Sequence, residues 1–197
     1  MNATCHLGRE FGLLMMALVL AVSGATSMAF ARDIDGDGLR AVHEKAAARY
    51  SDVRQISAKE LATLRLNEVR APLIFDVREQ QEYAVSHLAD ANQVKPDITA
   101  ADFLSTFGKM FQGRTVIVYC SVGVRSMHLA ARVQVAVKSA GAQAIYNLAG
   151  GVFNWHNQSR PLANKGGLTD LVHPYNWRWS RLVKRRKLIS YKAVARR

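Results

Sequence analysis

Past the N-terminal stretch, two runs of the chain are strongly apolar, Leu73–Val77 in "APLIFDVRE", with Asp76 as its one polar residue, and Val116–Tyr119 in "RTVIVYC". Shorter extended pieces are predicted in "VRQIS", "DANQV" and "QAIYNLAGG". Between these runs lie segments of helical composition. "AKELATLRL" predicts a helix over Ala58–Leu66 with Ser57 as its cap, and "EQQEYAVSHL" is helical in composition. "TAADFLSTFGKMF" adds a helix capped by Thr99 with Gly108 near its end. "SMHLAARVQVAVKSAG" predicts a helix opening around Ser126 and stopping at Gly141, and "VFNWHNQS" a short one. An unbroken apolar strand has no polar face to turn to water, so both of its sides must be covered. Strands alternating with helices therefore predict a doubly wound parallel α/β sheet with helices on both faces, over residues 51–162.

Length and composition, 197 residues with 49% hydrophobic and 21% charged, suit one globular domain with short appendages. The N-terminal stretch "FGLLMMALVLAVSGA" is apolar and uncharged, but polar residues dilute its end before it reaches the roughly 20 residues of a spanning helix. Ala29-Phe30-Ala31 follows as a small-x-small cleavage site. This predicts a secretory signal over residues 1–31 and an exported, periplasmic protein, with an uncleaved anchor as the other reading. Cys5 would leave with the signal, and Cys120 would then be the one cysteine of the mature chain. Oxidising compartments usually pair their cysteines, so a solitary thiol there reads as reactive or intermolecularly paired. The competing reading is a buried cysteine that serves as a small apolar residue.

The net charge of +12 is unevenly placed, with nine cations and no acid between Arg178 and Arg197. The body is only mildly basic, which removes the pI near 10.2 as a nucleic-acid signature, and no nucleic-acid partner is expected. Residues 163–197 form a C-terminal extension in which His173–Trp179 is expected to pack as an aromatic strap onto the body. Lys184–Arg197 is either a solvated tail or a docking segment for an anionic membrane surface or an acidic partner. At the other end, residues 32–50 combine an acidic turn with a helix. "DIDGDGLRAVHE" matches the calcium-loop spacing, with Asp33, Asp35, Asp37 and Glu44 as ligands and Gly38 at the turn. Against calcium, Arg40 stands where such loops bury an aliphatic residue, and cleavage at Ala31 leaves no entering helix. The alternative is an acidic turn that caps the next helix. No other cofactor is required, and His87, His128, His156 and His173 do not share metal-ligand spacing.

Open α/β sheets bind ligands beyond the carboxyl ends of their strands. One apolar strand ends in Asp76 and Arg78, the other in Cys120. Ser121, Val122, Gly123, Val124 and Arg125 follow before Ser126 opens the next helix. A loop of this kind turns successive N–H groups toward one point as an anion cradle. The helix N-terminus adds about half a positive charge, and Arg125 a full one. Both favour the thiolate, the nucleophilic form of cysteine.

These residues resemble a known family. "CSVGVRS" is similar to the active-site loop of single-domain rhodaneses, which are sulfurtransferases. "LIFDVREQQEYAVSHLADANQV" resembles the family's Asp-Val-Arg-Glu strand end and Glu-Tyr helix, and "IYNLAGGVFNW" its closing strand, Gly-Gly turn and Trp-bearing helix. Three elements in order span about Val53–Pro161. The resemblance implies a rhodanese-like fold and a two-step transfer. Cys120 takes a sulfane sulfur from a small donor, thiosulfate or a mercapto acid, and passes it from a persulfide to a nucleophilic acceptor. Ser121, Val122, Gly123, Val124 and Ser126 would hold the terminal sulfur. Arg125 would attract the donor or orient the loop through a carboxylate. Asp76 and Arg78 either organise the neighbouring loop or form an ion pair with no part in the chemistry. Ser86, Ala89 and Asp90 depart from the family pattern on a turn away from Cys120. Ser121 and Val122 stand where thiosulfate-using members often have cations, which weighs against thiosulfate as the natural donor. Related phosphatases place five residues between cysteine and arginine, where this chain has the four from Ser121 to Val124. The rival to an enzyme is a binding or redox-sensing module on the same fold.

Overall fold

The two apolar runs become the centre of a five-stranded parallel sheet in the computed structural model, which describes residues 33–67 and 71–194. The predicted signal, its cleavage site at Ala31, Cys5, and the last cations Arg196 and Arg197 lie outside the described residues. The strands are β1 (Gln55–Ile56), β2 (Leu73–Asp76), β3 (Ala91–Gln93), β4 (Thr115–Tyr119) and β5 (Ala144–Leu148), in the order β1-β5-β4-β2-β3. The helices are α1 (Asp37–Arg49), α2 (Ala58–Asn67), α3 (Gln80–Val85), α4 (Ala100–Phe107), α5 (Val124–Ser139) and α6 (Gly151–Asn157). The doubly wound sheet is thus the architecture that the alternation predicted.

Successive residues of a strand point to opposite faces, which divides the core in two. Ile74, Ile117 and Tyr119 pack on one side with Leu61 of α2 and Val152, Phe153 and Trp155 of α6. Phe75, Val116, Val118 and Cys120 pack on the other with Phe103 of α4 and Met127, Leu129, Ala130, Val133 and Val137 of α5. There Phe75 meets Phe103 and Phe107 edge-on, with ring centroids 4.9 Å apart in both pairs. Such pairs add about 0.5–1.5 kcal/mol each beyond simple burial.

The predicted caps form. Ser57 Oγ accepts the Glu60 N–H at 3.1 Å while the Glu60 carboxylate accepts the Ser57 N–H at 2.9 Å, a reciprocal capping box. Thr99 Oγ1 accepts the Asp102 N–H at 3.0 Å. The helix expected from about Ser126 instead begins at Val124, because Gly123 takes a left-handed φ of 96° and turns the chain into the helix two residues earlier.

The flanking segments are part of the same body. Ile34 and Leu39 from the N-terminal side, and Val172 and Val183 from the C-terminal side, belong to the first core cluster. An antiparallel hairpin, β6 (Leu162–Asn164) with β7 (Gly167–Thr169), adds a second small sheet that the apolar pattern did not reveal. The basic segment is pinned over much of its length. Lys184 pairs with Asp35, Arg185 with Asp170 at 3.4 Å, and the Val172 backbone bonds to both Leu188 and Ser190. Among the described residues no helix is long and apolar enough to cross a membrane.

Candidate active site

Cys120 follows the last residue of β4, at the carboxyl end of the sheet, and is only 1% exposed. The chain then reverses through Ser121, Val122 and Gly123 into α5. The Gly123 N–H donates to Cys120 Sγ at 3.2 Å. On the other side, the carbonyls of Cys120 and Ser121 accept from the N–H groups of Val152 and Phe153 at 2.9 and 3.0 Å, at the start of α6. These bonds tie the loop's carbonyls to α6. The N–H groups of Ser121, Val122, Val124, Arg125 and Ser126 find no acceptor among the described residues. Three of them are first-turn amides of α5, which a helix leaves unpaired by construction. Partial positive charge therefore gathers at the sulfur from the amides and from the helix dipole.

Gly151 makes this packing feasible. A Cβ there would lie 2.4 Å from the Cys120 carbonyl oxygen and 2.7 Å from that of Ser121, and its φ is +59°. Only glycine lets α6 approach the loop so closely. Ser126 is fully buried, and its hydroxyl bonds Asn147 at 2.6 Å and the Gly123 carbonyl at 3.1 Å, which ties the helix start to β5. Val124 faces out at 37% exposure, while Ser121 and Val122 are buried.

Arg125 orients the loop through a carboxylate, the second of its two expected roles. That carboxylate is Glu82, in α3, which the sequence reading did not single out. Arg125 grips it with both terminal nitrogens, at 2.9 and 3.0 Å, and donates to Ser121 Oγ at 3.0 Å. Ser121 Oγ donates to Glu82 at 2.7 Å, and the Glu79 N–H adds a bond at 3.1 Å. Burial opposes charge on both partners, yet the pairing wins. The Arg125 guanidinium is held above its usual range by Glu82 and by the nearby Cys120 sulfur. Glu82 is fully buried, and Arg125, Arg78 and Ser121 hold its carboxyl below the usual range. The pointers to Glu82 in the sequence were its place in the Glu-Tyr helix and the need of a loop arginine for a carboxylate.

A depressed carboxylate stabilises the fold above its unfolded value, near pH 4.3, and that contribution is lost as pH falls through the lower folded value. The stability gap between the parent chain and Glu82→Gln should therefore narrow below about pH 4. Urea melts of both chains from pH 3 to 7 measure it; a gap constant across that range would contradict the assignment.

Asp76 and Arg78 are fully buried and offer no surface to a substrate. The register sets Asp76 opposite Tyr119, on the sheet face away from Cys120. Arg78 donates to Asp76 through Nε at 2.9 Å and Nη2 at 2.6 Å, and Nη2 also reaches the Ser86 carbonyl at 2.6 Å. The Tyr119 hydroxyl donates to Asp76 at 2.7 Å and accepts the Leu88 N–H at 3.0 Å. Burial first, then the charge of Asp76, push the Tyr119 hydroxyl well above its usual range and keep it a donor.

The acidic motif is not gathered. α1 begins at Asp37, so Asp37 and Glu44 sit two turns apart, about 10 Å along the axis. Asp35 pairs with Lys184, Asp37 pairs with Arg40 at 3.0 Å, and Asp33 offers its carbonyl to Asn154 and Gln158. Among the described residues no group of three or more His, Cys, Asp or Glu side chains is placed to share a metal ion. Here the turn's backbone docks on α6 and Ile34 plugs the core.

Comparison with known proteins agrees on the family. The model of the rhodanese-like domain matches residues 57–158. A stretch of 116 residues is 33% identical to the probable adenylyltransferase/sulfurtransferase MoeZ of Mycobacterium tuberculosis, covering 58% of this chain and 28% of that protein's length. Among solved structures, a rhodanese-like domain protein from Staphylococcus aureus is 26% identical over 59% of this chain and 97% of that one, with a TM-score of 0.42. A thiosulfate sulfurtransferase from Pseudomonas aeruginosa is 17% identical over 74% of this chain and 26% of that one, with a TM-score of 0.47.

Proposed function

Because the chain belongs to the rhodanese-like domain family, we propose that it is a sulfurtransferase that carries sulfane sulfur on Cys120. The observation that carries this reading is the Gly123 N–H donating to Cys120 Sγ at 3.2 Å, in a loop whose other amides have no acceptor among the described residues. In the first step the Cys120 thiolate attacks the outer sulfur of a donor such as thiosulfate. A Cys–S–S bond forms, the donor's S–S bond breaks, and sulfite leaves with the electron pair. The terminal sulfur of the persulfide is then an anion, and the amides of Ser121, Val122, Val124, Arg125 and Ser126 are the groups available to receive it. In the second step a nucleophile, cyanide in the usual test, attacks that sulfur. Thiocyanate departs, and the cleaved S–S bond returns its electrons to the Cys120 thiolate. No metal or redox cofactor enters this balance.

Arg125 serves the reaction by holding the loop's shape, since Glu82 and Ser121 already use its guanidinium. With Ser121 and Val122 at the other loop positions, the site is less cationic than a thiosulfate specialist's, and a mercapto acid remains an equal candidate donor. The apolar N-terminal stretch supports placing the activity outside the cytoplasm. Intact mass spectrometry after incubation with thiosulfate or mercaptopyruvate tests the reading. One added sulfur, about 32 Da, on the Cys120 peptide is the expected result. Absence of that adduct with both donors, together with no thiocyanate from cyanide, would reject it.

A further inference from the structure

The segment from His173 to Trp177 lies outside the matched residues 57–158, yet it reaches the loop that holds Cys120. The Arg125 guanidinium sits 4.8 Å from the centroid of the Tyr175 ring. Arg125 thus has Glu82 and Ser121 at its hydrogen-bonding edge, and the aromatic ring against its face. Tyr175 holds this position at a cost, because its φ of 67° lies in the left-handed region. An L-residue stays there only where its surroundings over-determine it, and such positions cluster at ligand clamps and active sites.

The surroundings here are specific. The Tyr175 N–H donates to His173 Nδ1 at 3.0 Å, and the His173 ring is buried edge-on against Tyr191. On the N-terminal side, the Val172 backbone pairs with Leu188 at 2.9 Å and Ser190 at 3.0 Å. On the C-terminal side, Asn176 Oδ1 accepts the N–H groups of Arg178 and Trp179 at 3.0 and 3.1 Å, and Trp179 packs against the first core cluster. Tyr175 is therefore the tip of a turn anchored at both ends.

We propose that Tyr175 is a specificity-determining residue of the Cys120 site, a wall that admits small sulfur donors and acceptors and turns away protein-borne ones. The proposal rests on the sulfur-transfer reading above and narrows its substrate class. Cys120 is 1% exposed and the Arg125 side chain 25%, while Tyr175 stands at 44% over the face of the Arg125 guanidinium. A compact anion reaches the sulfur past the ring edge, whereas a persulfide on a folded protein needs the ring moved off Arg125. Anchoring at both ends makes that movement costly.

The test compares Cys120 alkylation by iodoacetamide with alkylation by a polyethylene-glycol maleimide, read on the Cys120 peptide. Tyr175→Asn removes the ring while keeping a residue that tolerates the left-handed backbone; Tyr175→Phe keeps the ring. In Tyr175→Asn the maleimide rate should rise about tenfold relative to the iodoacetamide rate, on the scale of one lost guanidinium–ring contact. Tyr175→Phe should keep the parent ratio. In sulfur transfer, the ratio of kcat/KM for a persulfidated protein to that for thiosulfate should rise in Tyr175→Asn and stay at the parent value in Tyr175→Phe. An unchanged alkylation ratio in Tyr175→Asn, or equal acceleration of both reagents, overturns the proposal. The alkylation ratio does not depend on persulfide chemistry. A shifted ratio without any sulfur adduct would support the wall and reject the sulfur-transfer reading.

Discussion

Cys120→Ser is expected to lose sulfur transfer by at least about a thousandfold while keeping its fold, because a hydroxyl cannot form the persulfide that links the two half-reactions. The substitution is conservative in shape. The serine oxygen can accept the Gly123 N–H that now reaches Sγ at 3.2 Å, and the site stays closed under α6. Stability should therefore change by no more than about 1 kcal/mol. Thiocyanate production and the adduct on the Cys120 peptide should disappear together. Full activity in Cys120→Ser would place the chemistry elsewhere. Collapse of the melting transition would show that the thiol serves packing, the bland alternative for a buried cysteine.

Asp76→Ala is expected to bring the largest loss of stability, about 3–5 kcal/mol. The guanidinium of Arg78 is fully buried and stays protonated, so removal of Asp76 strands a positive charge in the core. Its Nη1 already lacks a partner among the described residues, so little remains to compensate. The loss is large beside the roughly 5–15 kcal/mol that typical domains possess. Pairing Asp76→Leu with Arg78→Met should recover most of it, because two apolar residues carry no desolvation penalty. Urea denaturation of the single and double variants measures both effects. A loss below about 1 kcal/mol in Asp76→Ala would mean that water reaches the pair.

Much of the architecture was legible locally. The strongly apolar runs at Leu73–Val77 and Val116–Tyr119 required cover on both faces, and β2 and β4 lie at the centre of the sheet. Ser57 and Thr99 cap their helices because a side-chain oxygen needs only the next three residues to find an N–H. The helix after Cys120 was placed two residues late, since Gly123 was read as one of the loop residues and not as the left-handed cap it is. Cys120 and Arg125 were singled out as candidates by their order along one loop. Glu82 was not, because it lies 39 residues from Ser121 and 43 from Arg125, and no local spacing announces such a partner. The acidic motif had two readings, a calcium loop and a turn that caps the next helix. Its calcium spacing is local, but the helix beginning at Asp37 and the pairing of Asp35 with Lys184 follow from packing that spacing does not encode.

The sequence by itself determined the alternation of strands and helices, the strand end that carries Cys120, and the glycines at 123 and 151 that take up left-handed backbone. These rest on side-chain periodicity and on φ preferences, which act within a few residues. Only the tertiary structure decided what surrounds the sulfur. It gave Arg125 to Glu82, set Asp76 and Tyr119 on the face opposite Cys120, and brought Tyr175 onto Arg125 from 50 positions away. Buried charges must find partners and uncovered apolar surface must find cover, wherever along the chain these happen to lie.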